Sequence, residues 1–317
     1  MADSARLDHS VERLRWKMRT LWASGRVHEA ASRPWTSRRL QESLQPRVRR
    51  PVFIVGAPRS GTSLLGRCVA ALPRVSYHFE PPGIKTAAQH VYDGSWAFEQ
   101  AREWYVTTYR WLLRARFDGD ARLVDKTPRN SFIIPFLLRT FPDARFVHII
   151  RDGCDAAWSH HQKPWMRDAL TDSGEEDMGG NPYGARARFW VEPERTAEFE
   201  STTTLHRCIW AWRRHVEAVL DAKMRLSPAQ YTEVHYEAFV QAPQETADPL
   251  LDFLEVFDAE ARRAFHDQAT EVHTDSVGAG RTALSEEQRR VIDREAGDCL
   301  QRLGYAPASS AQESKVS

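Results

Sequence analysis

A chain of 317 residues with 42% hydrophobic residues is long enough to close one large α/β domain around a proper core, which excludes disorder as a description of the whole. Its 44 Lys and Arg against 43 Asp and Glu leave a net charge of +1, without the basic excess of a dedicated nucleic-acid binder. No apolar run reaches the roughly 18 to 20 residues that cross a bilayer, the first residues carry no apolar export-signal core, and the four cysteines form no C-x-x-C pair. The expectation is a cytoplasmic chain without structural zinc.

Charge is unevenly placed. Residues 1–50 hold twelve Lys and Arg against five Asp and Glu. Leu7, Val11, Leu14, Met18 and Leu21 recur at helical spacing with arginines around the other face, which predicts a basic amphipathic helix. It either packs on the main domain or rests on an anionic membrane or a partner protein. Arg47, Arg49 and Arg50 then stop at Pro51, and residues 1–50 read as an N-terminal extension.

Val52-Phe53-Ile54-Val55 has the length and β-branching of a buried strand. The pattern continues with a helix over Leu64 to Leu72, a strand at Val75 to Phe79, a helix from Trp96 to Phe117 and a short strand at Leu123-Val124. A helix from Ser131 to Thr140 and a strand over Arg145 to Ile150 follow. This alternation predicts an α/β fold, a P-loop-like three-layer sandwich with a mostly parallel sheet flanked by helices. Residues 168–204, rich in glycine and acidic residues, read as a mobile insertion or lid. Beyond them come a helix over Leu205 to Met224, a strand at Tyr231 to Tyr236, a helix around Pro249 to Leu254, and a last helix from Ser285 to Leu303 stopped by Gly304. Residues 306–317 read as a flexible tail.

Gly56-Ala-Pro-Arg59-Ser60-Gly61-Thr62-Ser63 lies between a predicted strand and a predicted helix, where backbone amides and a helix N-terminus converge on an anion. The spacing is that of the Walker A loop, but Thr62 stands in the lysine position. Without a side chain to reach a triphosphate, a kinase-like phosphotransferase becomes the alternative rather than the first reading. A second cluster, Arg151-Asp152-Gly153-Cys154-Asp155 with Ser159 eight residues after the arginine, offers another anion site, with Asp152 as a helix cap.

Together these residues resemble the sulfotransferases that use 3'-phosphoadenosine 5'-phosphosulfate (PAPS). Gly56 to Ser63 is similar to that family's 5'-phosphosulfate loop, and Arg151 with Ser159 to its 3'-phosphate pair. Tyr236-Glu237 and the ending Arg302-Leu303-Gly304-Tyr305 extend the likeness, so residues 51–305 are taken as the sulfotransferase domain. Phe79-Glu80-Pro81 is similar to an element of carbohydrate 6-O-sulfotransferases and related bacterial enzymes. Glu80 follows Arg59 by 21 residues, which resembles the placement of the base in tyrosylprotein sulfotransferases. Lys126 precedes Arg151 by 25 residues, close to the family's lysine for the transferring group. Pro128 stands where cytosolic small-molecule sulfotransferases carry a histidine base, and Gly278-Ala-Gly280-Arg281 is a reduced form of the family's basic C-terminal stretch.

The resemblance implies an O-sulfotransferase with PAPS as donor and no metal. Arg59 and the amides of Ser60, Gly61, Thr62 and Ser63 would hold the 5'-phosphosulfate, and Arg151, Ser159 and Arg281, with Lys163 in reserve, the 3'-phosphate. Tyr236 would meet the nucleotide, Glu80 would be the base, and Lys126 would neutralise the sulfuryl oxygens. The expected acceptor is a small-molecule, carbohydrate or lipid-linked hydroxyl, with a carbohydrate or glycolipid favoured. A non-catalytic nucleotide-binding protein is the other alternative.

Overall fold

The computed structural model describes residues 34–177, 180–270 and 275–310; the helix expected over Leu7 to Leu21 lies outside them. Helix α1 (Ser37–Leu44) precedes β1 (Val52–Val55) and is tied to the domain by Arg39, whose Nε donates to the Phe117 carbonyl at 2.8 Å. From β1 the chain runs through α2 (Thr62–Ala70), β2 (Val75–Phe79), α3 (Pro82–Tyr92), α4 (Phe98–Ala115) and β3 (Arg122–Lys126). A 3-10 turn over Pro128–Ile133 leads into α5 (Ile134–Thr140), β4 (Arg145–Ile150) and α6 (Gly153–His161). Next come α7 (Thr196–Ser201), α8 (Thr204–Lys223), β5 (Tyr231–His235), α9 (Tyr236–Gln241) and α10 (Pro243–Phe253). The chain ends in α11 (Ala259–Thr270), α12 (Ala279–Ala283) and α13 (Glu286–Arg302).

The five strands form one sheet in the order β2-β3-β1-β4-β5, every neighbouring pair parallel. Burial follows the two-residue period of a strand. Val52 and Ile54 join Leu65, Val69, Phe239 and Leu251 on one face, while Phe53 and Val55 join Ile84, Tyr105, Leu112 and Leu137 on the other. With both faces covered, β1 and β4 are buried throughout, as parallel strands require. The α/β sandwich expected from the sequence is the fold observed.

Three of the segments that differ from their expected form have a local physical reason. Residues 131–133, expected to open the helix running to Thr140, belong instead to a 3-10 turn over Pro128–Ile133, because the Asp125 carboxylate draws the turn back onto the strand end. Tyr109, Thr127 and Asn130 all donate to it. The helix around Pro249 begins six residues earlier, at Pro243; Pro249 is tolerated inside it because it and Glu245, whose carbonyl loses its donor, are both solvent-exposed. Residues 306–310, expected as tail, pack on α13. There Asp293 accepts from the Ala308 amide at 2.6 Å and Ala308 is buried.

Asp125 is fully buried, and burial lifts its carboxyl to about 6 against the opposing hydrogen bonds from Thr127, Tyr109 and Asn130. Replacing it with alanine strands those donors in the interior. Asp125→Ala should lower the unfolding free energy by about 3 kcal/mol or more, read from urea denaturation. An unchanged midpoint would show that the turn holds without it.

Candidate active site

Because the strands are parallel, their C-terminal ends share one edge of the sheet, where open α/β sheets bind ligands. Four deliver a predicted site residue at or next to their end, Glu80 after β2, Lys126 closing β3, Arg151 after β4 and Tyr236 after β5, and β1 leads directly into the loop Gly56 to Ser63. Strand order sets these side by side as Glu80, Lys126, loop, Arg151, Tyr236.

The loop is built to leave donors free. Gly56 donates to Ser131 Oγ at 3.1 Å, and the Ser60 amide turns back to the Ala57 carbonyl at 3.2 Å. Ser60 therefore offers its hydroxyl rather than its amide. That Oγ is buried with no partner among the described residues. Helix α2 opens at Gly61 with no side-chain cap, and its first amides have no intrahelical acceptor. Gly61 has φ +92°, and a Cβ there would lie 2.4 Å from the Tyr236 ring, so only glycine lets the loop close against Tyr236 at the start of α9. Arg59 holds a left-handed φ of 69° and donates through Nε to Ser159 Oγ at 3.1 Å.

Beside the loop, the Arg151 side chain is buried. Its Nη1 donates to the Arg59 carbonyl at 3.0 Å and its Nη2 to the Ser276 carbonyl at 2.6 Å. Its Nε has no partner among the described residues. The guanidinium stacks over the Tyr236 ring at 4.5 Å, and the Tyr236 hydroxyl is bonded to Ser276 Oγ at 2.8 Å. Desolvation and then the charge of Arg151 lower the pKa of Arg59, as expected of two cations converging on a place for an anion.

Toward β2 the edge opens into a cavity of about 350 Å³ walled by Phe79, Trp165, Met166, Tyr183 and Trp190. Register places Phe79 opposite Lys126, so Glu80 emerges beside the lysine, its amide bonded to the Lys126 carbonyl at 3.0 Å. Lys126 Nζ lies 2.6 Å from Glu80 Oε1 and 3.6 Å from the Phe79 ring centroid. Lys85, on α3, reaches Glu80 Oε2 at 3.1 Å and Asp177 at 3.3 Å. Burial alone would raise the Glu80 carboxyl, but Lys126 and Lys85 overcome it and hold it far below the usual carboxylate range.

Two residues expected at the nucleotide have partners within the chain. Ser159 meets Arg59 rather than Arg151. Arg281 is engaged at 2.5 Å with Asp152 and at 3.1 and 2.7 Å with the Pro307 and Ala306 carbonyls, fastening the C-terminal segment. Lys163 follows α6 at the turn into Pro164. Asp152 caps α6 as expected, accepting from the Cys154 amide. Glu237 joins the Asp152 amide at 2.8 Å to the Tyr305 hydroxyl at 2.9 Å, which accounts for two motifs far apart in sequence. Asp155 was overlooked: it accepts from the Gly278 and Gly280 amides and fixes the loop that Arg151 leans on. Lys85, Asp177 and Arg129 were overlooked too. Their signal is tertiary, since Asp177 comes from the 168–204 segment, which also buries Trp190, Val191 and Phe199.

The model of the sulfotransferase family matches residues 51–260, and the chain belongs to that family. An uncharacterised protein of Aquifex aeolicus is 24% identical over 226 residues, 66% of this chain and 26% of its own length. The omega-hydroxy-beta-dihydromenaquinone-9 sulfotransferase Stf3 of Mycobacterium bovis is 25% identical over 208 residues, 64% of this chain and 46% of its own. The chain thus spans less than half the length of these curated relatives. Sulfotransferase STF9 from Mycobacterium avium shares the fold, with TM-score 0.54 at 15% identity over 84% of this chain and 80% of that one.

A carboxyl whose pKa is depressed by folding contributes stability that is present above its unfolded value and lost as pH falls toward the folded one. For Glu80, with an ordinary value of 4.5, the loss begins below that pH. Glu80→Gln should therefore flatten the dependence of unfolding free energy on pH on the acid side of 4.5, measured by urea denaturation. An unaltered slope would contradict the ion-pair geometry.

Proposed function

We propose that the protein transfers a sulfuryl group from PAPS to an acceptor hydroxyl. The observation that carries this reading is two buried donors without a partner among the described residues, Ser60 Oγ and Arg151 Nε, beside an uncapped helix N-terminus. Such atoms are costly to leave unpaired, and an adenosine carrying anionic groups at both ribose ends answers both. The residues fit the donor: Arg59, Ser60 and the amides of Gly61 to Ser63 would hold its 5' end, and Arg151 its 3'-phosphate. Tyr236 and Ser276 orient Arg151. Bound there, PAPS supplies an activated sulfuryl group with a phosphate as its leaving group.

Glu80 stands at the cavity with both oxygens toward ammonium groups. It is ionised at neutral pH, and Oε2 takes the acceptor's hydroxyl proton. Lys126 supplies positive charge where charge gathers in transfer, and its buried setting over Phe79 strengthens that field. Lys85 keeps Glu80 aimed and links it to Asp177 of the 168–204 segment. The aromatic walls suit a carbohydrate ring or the hydroxyl end of a lipid, with a carbohydrate or glycolipid favoured. The lipid named for the mycobacterial relative keeps the second class in view.

Transfer of labelled sulfate from PAPS to a panel of hydroxyl acceptors tests the reading, with ATP and Mg²⁺ as the competing donor. Glu80→Gln should reduce turnover by about 100-fold or more while leaving affinity for adenosine 3',5'-bisphosphate within about two-fold, as expected when a group acts only in the transition state. Full turnover in that variant would remove Glu80 from the chemistry. Phosphoryl transfer from ATP in place of sulfuryl transfer would replace the reading with the kinase-like one.

A further inference from the structure

A second large recess lies at the opposite edge of the sheet, where the strands begin. It measures about 780 Å³ and is lined by Arg38, Arg47, Arg49, Arg50, Arg74 and Arg122, against only Glu42 and Asp120 among acids. Three of the six arginines are committed: Arg38 to Glu42 at 3.0 Å, and Arg50 and Arg122 to Glu255 at 2.5 and 3.8 Å. Arg47, Arg49 and Arg74 are exposed and have no carboxylate within ion-pair distance among the described residues. Their presentation is dictated by the backbone. Val48 packs against the core, so the two-residue alternation of an extended segment turns Arg47 and Arg49 outward together.

Large apolar side chains border the recess on both sides. Leu44 lines it and is 73% exposed; Leu40, one helical turn back on α1, is 47% exposed. Across Arg74, Asp120 and Arg122 the recess runs into an apolar cleft of about 540 Å³ whose lining includes Val69, Leu72, Val256 and Phe257, with Phe257 73% exposed. Unpaired cations flanked by protruding hydrophobic side chains match the cross-section of an anionic membrane surface, with phosphate-bearing headgroups above an apolar layer. A nucleic acid would use the charge but leave Leu44, Leu40 and Phe257 in water. The near-neutral whole chain also lacks the broad basic field that such binding needs.

We propose that this strand-start edge is a docking surface for an anionic lipid bilayer, with Arg47, Arg49 and Arg74 meeting the headgroups and Leu44 and Phe257 entering the interface. Strands of four to six residues put the donor loop roughly 15 Å away on the far edge. Docking therefore leaves the catalytic edge uncovered. The cavity then faces water, which suits a carbohydrate acceptor better than the immersed end of a lipid.

The test is co-sedimentation of the full-length protein with phosphatidylserine-containing vesicles and with pure phosphatidylcholine vesicles. Binding is expected to the first only, and to weaken with salt. The triple variant R47Q/R49Q/R74Q should lose about five-fold affinity per arginine, on the order of 100-fold in all. F257S should bind more weakly than wild type at every lipid charge. Urea midpoints within error of wild type establish that these variants are folded, independently of any nucleotide binding. A second full-length variant, R13Q/R15Q/K17Q/R19Q, separates this surface from the N-terminal residues. Loss of binding there with retention in the first triple variant overturns the proposal, as does vesicle binding that ignores lipid charge or is absent. Retention of DNA or of inorganic phosphate at the recess without vesicle association overturns it equally.

Discussion

Lys126 closes β3 and is paired on both sides, with Ile54 of β1 and Phe79 of β2. That double register is the constraint on which the rest of the site depends. It fixes Glu80 next to the lysine on one side and the anion loop on the other. The same parallel arrangement carries Arg151 and Tyr236 to the far flank. A slip of one residue in β3 would exchange the faces of its side chains, sending Lys126 away from the edge and Asp125 away from its donors. The buried Asp125 network guards against that slip by tying the strand end to Tyr109 of α4 and to the following turn.

Electrostatics along this edge is unbalanced in a way that has functional meaning. At one flank, Arg59 and Arg151 converge beside donors that have no partner among the described residues, an arrangement that gains from a polyanion. At the other, one carboxylate is held between two ammonium groups, which keeps Glu80 ionised, while burial lowers the Lys126 pKa against the opposing charge of Glu80. The proposed chemistry uses both flanks at once. In that reading the anion-binding half fixes the donor, and the paired half meets the acceptor in a cavity whose aromatic walls lower the local polarity around each charge.

Much of this was legible in the chain. The bounds of β1, β2 and β4 follow from short apolar runs ended by glycine, glutamate or arginine, and the anion loop is visible as glycine spacing between a strand and a helix. Only Leu123-Val124 of β3 could be read, because Asp125 and Lys126 are charges buried by tertiary pairing and Arg122 is half-buried, which a hydrophobic pattern does not register. Helix α11 went unread although Ala261, Phe265 and Ala269 recur every four residues; two alanines give a faint stripe. The engagement of Arg281 with Asp152, 129 residues away, and the arrival of Asp177 at Lys85 depend on contacts between segments far apart in the chain. Local sequence carries no trace of such contacts.

The central claim is that the strand-end edge holds a nucleotide by both ends of its ribose. Calorimetry on the full-length protein with adenosine 3',5'-bisphosphate and with adenosine 5'-monophosphate tests it most directly. The account predicts that the bisphosphate binds at least about ten-fold more tightly, the share of a charge-assisted hydrogen bond to a buried arginine, and that Arg151→Ala abolishes the difference. Equal affinity of the wild-type protein for the two nucleotides would contradict it.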